Sequence, residues 1–111
     1  MPIELKICGI NSETIIRTIE KIGGCNYLGF VFYPPSPRNI SLEQSLKLTS
    51  TVPRNIKKVA VLVNPKVDFA NKIKDQFDYF QVYDYSPSQL KTLKLLSKKK
   101  IIKAIKVKKK E

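Results

Sequence analysis

Four times in succession the chain presents a short apolar segment followed by an amphipathic segment with a helix-capping start, at intervals of about 25 residues. That alternation leaves few folds open. Short apolar strands alternating with helices pair as a parallel sheet, and each connection crosses over through its helix. The first strand reads over Lys6-Ile7-Cys8-Gly9-Ile10, and Gly9 and Asn11 break it. Ser12 then caps a helix to about Ile22, with Ile15, Ile16, Ile19 and Ile22 on one face, and Gly23-Gly24 ends it. Tyr27 to Phe32 is apolar throughout, which predicts a second strand buried on both sides. Ser41-Leu42-Glu43-Gln44 fits a capping box and opens a second helix to about Thr51, before Pro53. Lys58 to Val63 is a third strand, and the next helix turns Val67, Ala70, Ile73 and Phe77 inward. A fourth strand runs from Asp78 to Tyr83, with Phe80 and Val82 on one side and Gln81 and Tyr83 on the other. Ser86-Pro87-Ser88-Gln89 starts a fourth helix that faces inward through Leu90, Leu93 and Leu95 or Leu96. Lys100 to Val107 reads as a fifth strand. The expected fold is a single α/β domain over residues 1–111, five parallel strands alternating with four helices, without a linker.

Composition narrows the function. No apolar run is long enough for a membrane span, and the first residues lack the basic-then-apolar layout of a secretory leader. The two cysteines, Cys8 and Cys25, do not form a Cys-x-x-Cys pair, so a reduced, cytoplasmic setting is expected. Histidine is absent, which leaves Cys8 and the carboxylates as candidate proton-transfer groups and gives no sign of a metal site or a cofactor. The net charge of +12 is concentrated at one end, because eight of the 21 basic residues lie between Lys98 and Lys110. That lysine-rich end, 98–111, reads as a solvated terminus. Nucleic acid is not the expected partner, because no aromatic residue is interleaved after Tyr85 and no recognition module is visible.

Three positions carry candidate chemistry, Cys8 with Lys6 beside it, and Arg38. A cysteine at the carboxyl end of a first parallel strand stands where α/β folds gather their reactive groups, although free cysteines are usually small buried hydrophobes. Lys6 is two residues before Cys8 and so shares its face, where an ammonium favours the reactive thiolate. Arg38 is the only charge in the stiff loop Tyr33-Pro34-Pro35-Ser36-Pro37-Arg38-Asn39. It is either a surface arginine or an anion clamp at the mouth of the sheet.

A series of blocks carries a more specific signal. Lys6-Ile7-Cys8-Gly9-Ile10, Leu28-Gly29-Phe30-Val31-Phe32, Ser36-Pro37-Arg38 and Val61-Leu62-Val63-Asn64 resemble the successive signatures of phosphoribosylanthranilate isomerase. Phe80-Gln81-Val82 resembles its fourth strand, and Lys103-Ala104-Ile105-Lys106-Val107 its fifth. The resemblance implies a TIM barrel that isomerises an aminoaldose to an aminoketose in tryptophan biosynthesis, without metal or organic cofactor. It makes Cys8 the match to the general base and Arg38 the match to a substrate-binding wall, with Lys6 and Gln81 beside a phosphosugar substrate.

The departures shape the expectation further. Where the family has Gln-Leu-His-Gly, this chain reads Gln81-Val82-Tyr83-Asp84. The family's general acid on the sixth strand and its late phosphate-binding loops have no counterpart among these residues. The resemblance therefore implies a half-plus barrel, incomplete or inactive alone, with Asp84 as the nearest substitute acid. Such a sheet exposes edges, so a homo-oligomer or a complementing half-barrel chain is expected, the other solution being an open flavodoxin-like sheet. The second reading of function is a non-catalytic relic or phosphosugar-binding module that keeps the fold of an isomerase half.

Overall fold

The computed structural model of the chain describes residues 3–64, 66–97 and 100–103. In chain order the elements are β1 (Lys6–Cys8), α1 (Glu13–Ile22), β2 (Tyr27–Phe32), α2 (Leu42–Ser50), β3 (Lys57–Val63), α3 (Val67–Ile73), β4 (Tyr79–Tyr83), α4 (Pro87–Ser97) and β5 (Lys100–Lys103). Local sequence explains their ends. The Ser12 hydroxyl accepts the Ile15 N–H at the start of α1, and Gly23, at φ 78°, closes it with its N–H on the Ile19 carbonyl at 2.9 Å. Ser41 and Gln44 form a reciprocal capping box at α2, and Ser86 and Gln89 exchange the same pair of bonds at α4.

Every neighbouring pair of strands is parallel and the spatial order follows the chain, β1-β2-β3-β4-β5. This sequential order rules out the open flavodoxin-like alternative, whose strand order is 2-1-3-4-5. The physical reason is direction. Each right-handed crossover steps the same way across the sheet, so all helices are carried to one face. Of the strand expected over 100–107, Lys100–Lys103 pairs with β4 from Tyr79↔Lys100 to Val82↔Lys103. Residues 104–107, and with them most of the lysine-rich end, lie outside the described residues, as do the side chains of Leu95 and Leu96.

Burial confirms the one-sided plan. A single cluster joins Ile16 and Ile19 of α1, Leu48 of α2, Ala70 and Ile73 of α3, and Leu90 and Leu93 of α4. The strand residues in it are Leu28, Phe30, Ala60, Leu62, Phe80 and Val82, which share one face by register. Phe77 anchors the middle, its ring 5.7 Å from Phe30 and 5.8 Å from Phe32. Ile22, expected on the inward stripe of α1, is instead 79% exposed. As the last helical residue it projects past the strands that the stripe covers.

The opposite face is concave. Register places Cys8, Gly29 and Val59 in one row with Tyr79, and Val31, Val61 and Gln81 in the next. Lys6 sits in the row of Tyr27 and Lys57, and extending the β3–β4 register two residues back sets that row against Phe77. Yet the Lys6 ammonium donates to the Gln81 carbonyl oxygen, four residues farther along. Tyr27 likewise packs edge-on against Tyr79, two residues beyond its own row, at 5.8 Å. Side chains three strands apart meet only if the sheet curls, and the drift of about one residue per strand step is the stagger of a sheet curling towards a barrel with equal strand number and shear.

We expect Phe77→Ala to destabilise the chain by about 3–5 kcal/mol, since it opens a cavity under two rings, while Ile22→Ser stays within about 0.5 kcal/mol. Urea denaturation followed by circular dichroism measures both, and equal midpoints would contradict the packing described.

Candidate functional site

The site is built at the carboxyl ends of the strands by glycines that let other groups approach. Cys8 is exposed on the concave face, directly opposite Gly29 in register. A Cβ on Gly29 would fall 2.8 Å from the Cys8 sulfur and 3.3 Å from its Cα, so only glycine leaves room for the thiol. The Gly29 carbonyl also accepts the N–H groups of Gly9 and Ile10, at 2.9 and 3.1 Å, and fixes the turn that follows Cys8. Gly9 has φ 86°, and a Cβ there would fall 2.3 Å from Arg38 Cδ. The stem of Arg38 thus lies over Gly9, next in sequence to the cysteine.

The loop after β2 brings Arg38 back. The Ser36 N–H bonds the Tyr33 carbonyl at 2.9 Å, the Asn39 N–H bonds the Ser36 carbonyl at 3.1 Å, and the Ser36 hydroxyl takes the Arg38 N–H at 3.1 Å. Asn39 then bridges to Val31, and the Ile40 N–H reaches the Val31 carbonyl at 3.0 Å. Three prolines stiffen this return, which holds the arginine at the mouth of the sheet.

Lys6 and Gln81, on β1 and β4, are joined directly across the concave face. Gln81 continues the chain, its amide nitrogen 3.1 Å from the Tyr83 hydroxyl. Lys6 therefore shares the face of Cys8, as expected, but its ammonium is taken by Gln81. Gln81 itself lies two residues before the end of β4, deeper than Cys8 and Arg38 are at their end. Asp84 follows β4 directly, exposed and at φ 48°, and Asn64 follows β3 in the same way at φ 45°. Asx side chains tolerate that left-handed turn, which explains their presence without chemistry. Asp84 is separated from Cys8 by the width of β2 and β3. The structure thus joins Lys6 with Gln81 and lays Arg38 over Gly9, the residue after Cys8, with Asp84 following β4.

Two recesses flank these groups. One of about 260 Å³ lies on the concave face, lined by Val31, Tyr33, Ser36, Val61, Val63 and Tyr83. A wider, largely apolar cleft of about 450 Å³ opens on the helix side between Phe32, Ile40, Leu42, Leu62 and Phe69. Of the groups joined across the concave face, Tyr83 lines the smaller recess, while Lys6, Cys8, Arg38 and Gln81 line neither. Cys25, by contrast, is buried, with its sulfur 3.2 Å from the Tyr27 carbonyl, and is structural. At the other end of the sheet the Glu4 carboxylate accepts the Tyr27 hydroxyl at 2.8 Å, and this bond raises the phenol above its ordinary value. Among the described residues no three histidine, cysteine or acidic side chains gather to hold a metal ion, and no helix is long and apolar enough to cross a membrane. Sequence reasoning missed Gly29 and Tyr83. A glycine inside an otherwise apolar strand is the signal of close approach that marks the first; the alternation that puts Gln81 and Tyr83 on one side of β4 marks the second.

Comparison with known proteins bears on this arrangement. The family model for N-(5'phosphoribosyl)anthranilate (PRA) isomerase matches residues 5–111. An N-(5'-phosphoribosyl)anthranilate isomerase of Staphylococcus epidermidis is 36% identical over 105 residues, 91% of this chain and 50% of that protein. A crystal structure of phosphoribosyl anthranilate isomerase with reduced 1-(o-carboxyphenylamino)-1-deoxyribulose 5-phosphate superposes with a TM-score of 0.84 at 25% identity, over 96% of this chain and 55% of the other. Monomers generated from the dimeric enzyme of Thermotoga maritima give a TM-score of 0.82 at 24% identity, over the same shares. The chain spans about half the length of the curated relatives it matches.

One thiol per folded chain, that of Cys8, should react quickly with Ellman's reagent, and Cys25 only on unfolding. Gly29→Ala should slow the fast thiol by displacing it and cost about 1–3 kcal/mol of stability through overpacking. An unchanged rate and melting temperature would show that Gly29 does not set the position of Cys8.

Proposed function

The chain belongs to the N-(5'phosphoribosyl)anthranilate isomerase family, and we propose that it carries the base-bearing part of that family's barrel and active site. The fold reading is a partial TIM barrel of five strands and four helices in one domain, supported by the sequential parallel order and the one-residue drift per strand. The activity is isomerisation of an aminoaldose phosphosugar to an aminoketose, a step of tryptophan biosynthesis. In that reaction an acid protonates the ring oxygen as the ribose opens, and a base removes the proton from the neighbouring carbon. Cys8 is the base. Arg38 binds the substrate's anionic group, with Lys6 and Gln81 forming the floor. No organic cofactor or metal is needed for either proton transfer.

The observation that carries this reading is the exposed thiol of Cys8 in the space Gly29 leaves, with the cation of Arg38 laid over the adjoining Gly9. A base and an anion-binding group then stand at adjoining residues of the β1 end. The acid is the open half of the mechanism. We assign it to a complementing half-barrel chain, with Asp84 as the substitute within these residues. That half-barrel also pairs the edges of β1 and β5. Association with a second copy fits the dimeric relative, but duplication alone brings another Cys8 and no new acid. Two free cysteines fit a cytoplasmic setting. The second reading, a phosphosugar-binding module without turnover, is favoured by Tyr83 standing where the family pattern has histidine.

The test is turnover of phosphoribosylanthranilate by the chain alone and mixed with the carboxyl-terminal half of the Staphylococcus epidermidis relative. We expect none alone and measurable turnover in the mixture, lowered about 10²–10⁴-fold by Cys8→Ala and little by Asp84→Asn. Turnover by the chain alone that Asp84→Asn abolishes would make Asp84 the acid. Tight binding of the reduced product analogue without turnover in the mixture would favour the binding module.

A further inference from the structure

We propose that Tyr83 is the hydrogen-bond donor to the ligand on the concave face, held in that polarity by Lys6 acting through Gln81. The inference rests on the proposed function, which identifies that face as the binding face, and it adds to it a residue outside the family pattern.

An ammonium has three protons and no lone pair, so the Gln81 atom it meets must be the carbonyl oxygen. This fixes the amide, whose two ends are otherwise interchangeable. The other end, the NH₂ group, is then the atom 3.1 Å from the Tyr83 oxygen, and it can only donate. Tyr83 therefore accepts from Gln81 and keeps its own proton for another partner. Among the described residues no side chain takes that proton.

Where the proton goes is set by the surroundings. Tyr83 lines the recess of about 260 Å³ together with Val31, Val61, Val63, Tyr33 and Ser36. A donor at the wall of an apolar recess is poorly matched by water and well matched by an oxygen carried on a flat or apolar group. The ligand class is thus an aryl or sugar group bearing a carboxylate or other oxygen acceptor. Because the cation stands at the far end of the chain of bonds, its charge polarises both links towards the ligand, and Lys6 and Gln81 act as positioning residues.

The experiment is calorimetric titration of the full chain with two probes, reduced 1-(o-carboxyphenylamino)-1-deoxyribulose 5-phosphate and anthranilate. Tyr83→Phe keeps the ring and should weaken the analogue about tenfold, the worth of one hydrogen bond to a charged acceptor. Lys6→Met should weaken it several-fold, Lys6→Arg should recover it as an equally obligate donor, and Lys6→Met should add nothing in the Tyr83→Phe background. Losses that multiply in the double variant would show that Lys6 acts by itself and overturn the relay. Unchanged binding in Tyr83→Phe would overturn the donor. If the wild type binds anthranilate but not the analogue, the same variants decide the inference on anthranilate, and turnover in the mixture decides the isomerase reading separately. Failure of both probes to bind the wild type would overturn it as well.

Discussion

Each crossover in this chain joins neighbouring parallel strands with the same hand, and nearly everything else follows from that repeated step. Because every step goes the same way, the four helices collect on one side and the core forms there, around Phe30, Phe77 and Phe80. The other side is left to the alternate residues of each strand. Those residues are not a second core. They are two lysines, a cysteine, a glycine, tyrosines and a glutamine among valines, and the inward curl of the sheet brings Lys6 to Gln81 and Tyr27 to Tyr79. Packing and chemistry are thus separated by the period-two alternation of the strands.

The curl is held by contacts that jump strands. Lys6 to Gln81 spans from β1 to β4, and Tyr27 to Tyr79 spans from β2 to β4. Both drift along the strands by about one residue per step, which couples curvature to register. The same geometry also decides the fate of the charges. A lysine two residues from a cysteine on a flat strand would have the cysteine as its nearest functional neighbour, whereas on a curled sheet it has another partner across the hollow.

Glycine sets the scale of the site. Gly29 makes room for the Cys8 sulfur and Gly9 for the Arg38 stem, so the two groups nearest the proposed chemistry depend on two missing methyl groups. The turns after β3 and β4 use Asn64 and Asp84 for the same left-handed step that Gly9 provides after β1, so the carboxyl ends of three strands are built alike. That common device gives Asp84 a structural reason to be where it is, independent of acid catalysis.

Local residue patterns determined the elements themselves. Ser12, Ser41 and Ser86 start helices by satisfying orphan N–H groups, Gly23 ends one, and the alternating apolar residues of β4 choose which side chains face the helices. These are interactions within a few residues, so they are written in short stretches of the chain. The presence of Cys8 and Arg38 as candidates, and the family blocks around them, were legible for the same reason. Tertiary structure alone decided what those candidates meet: that Arg38 folds back over Gly9, that Gln81 takes the Lys6 ammonium, that Tyr83 joins them, and that Ile22 overshoots the core. Each depends on strand order and curl, which sum over residues tens of positions apart. The capping serine reads its partner three residues on, while Lys6 finds Gln81 only after three crossovers have turned the sheet to face itself.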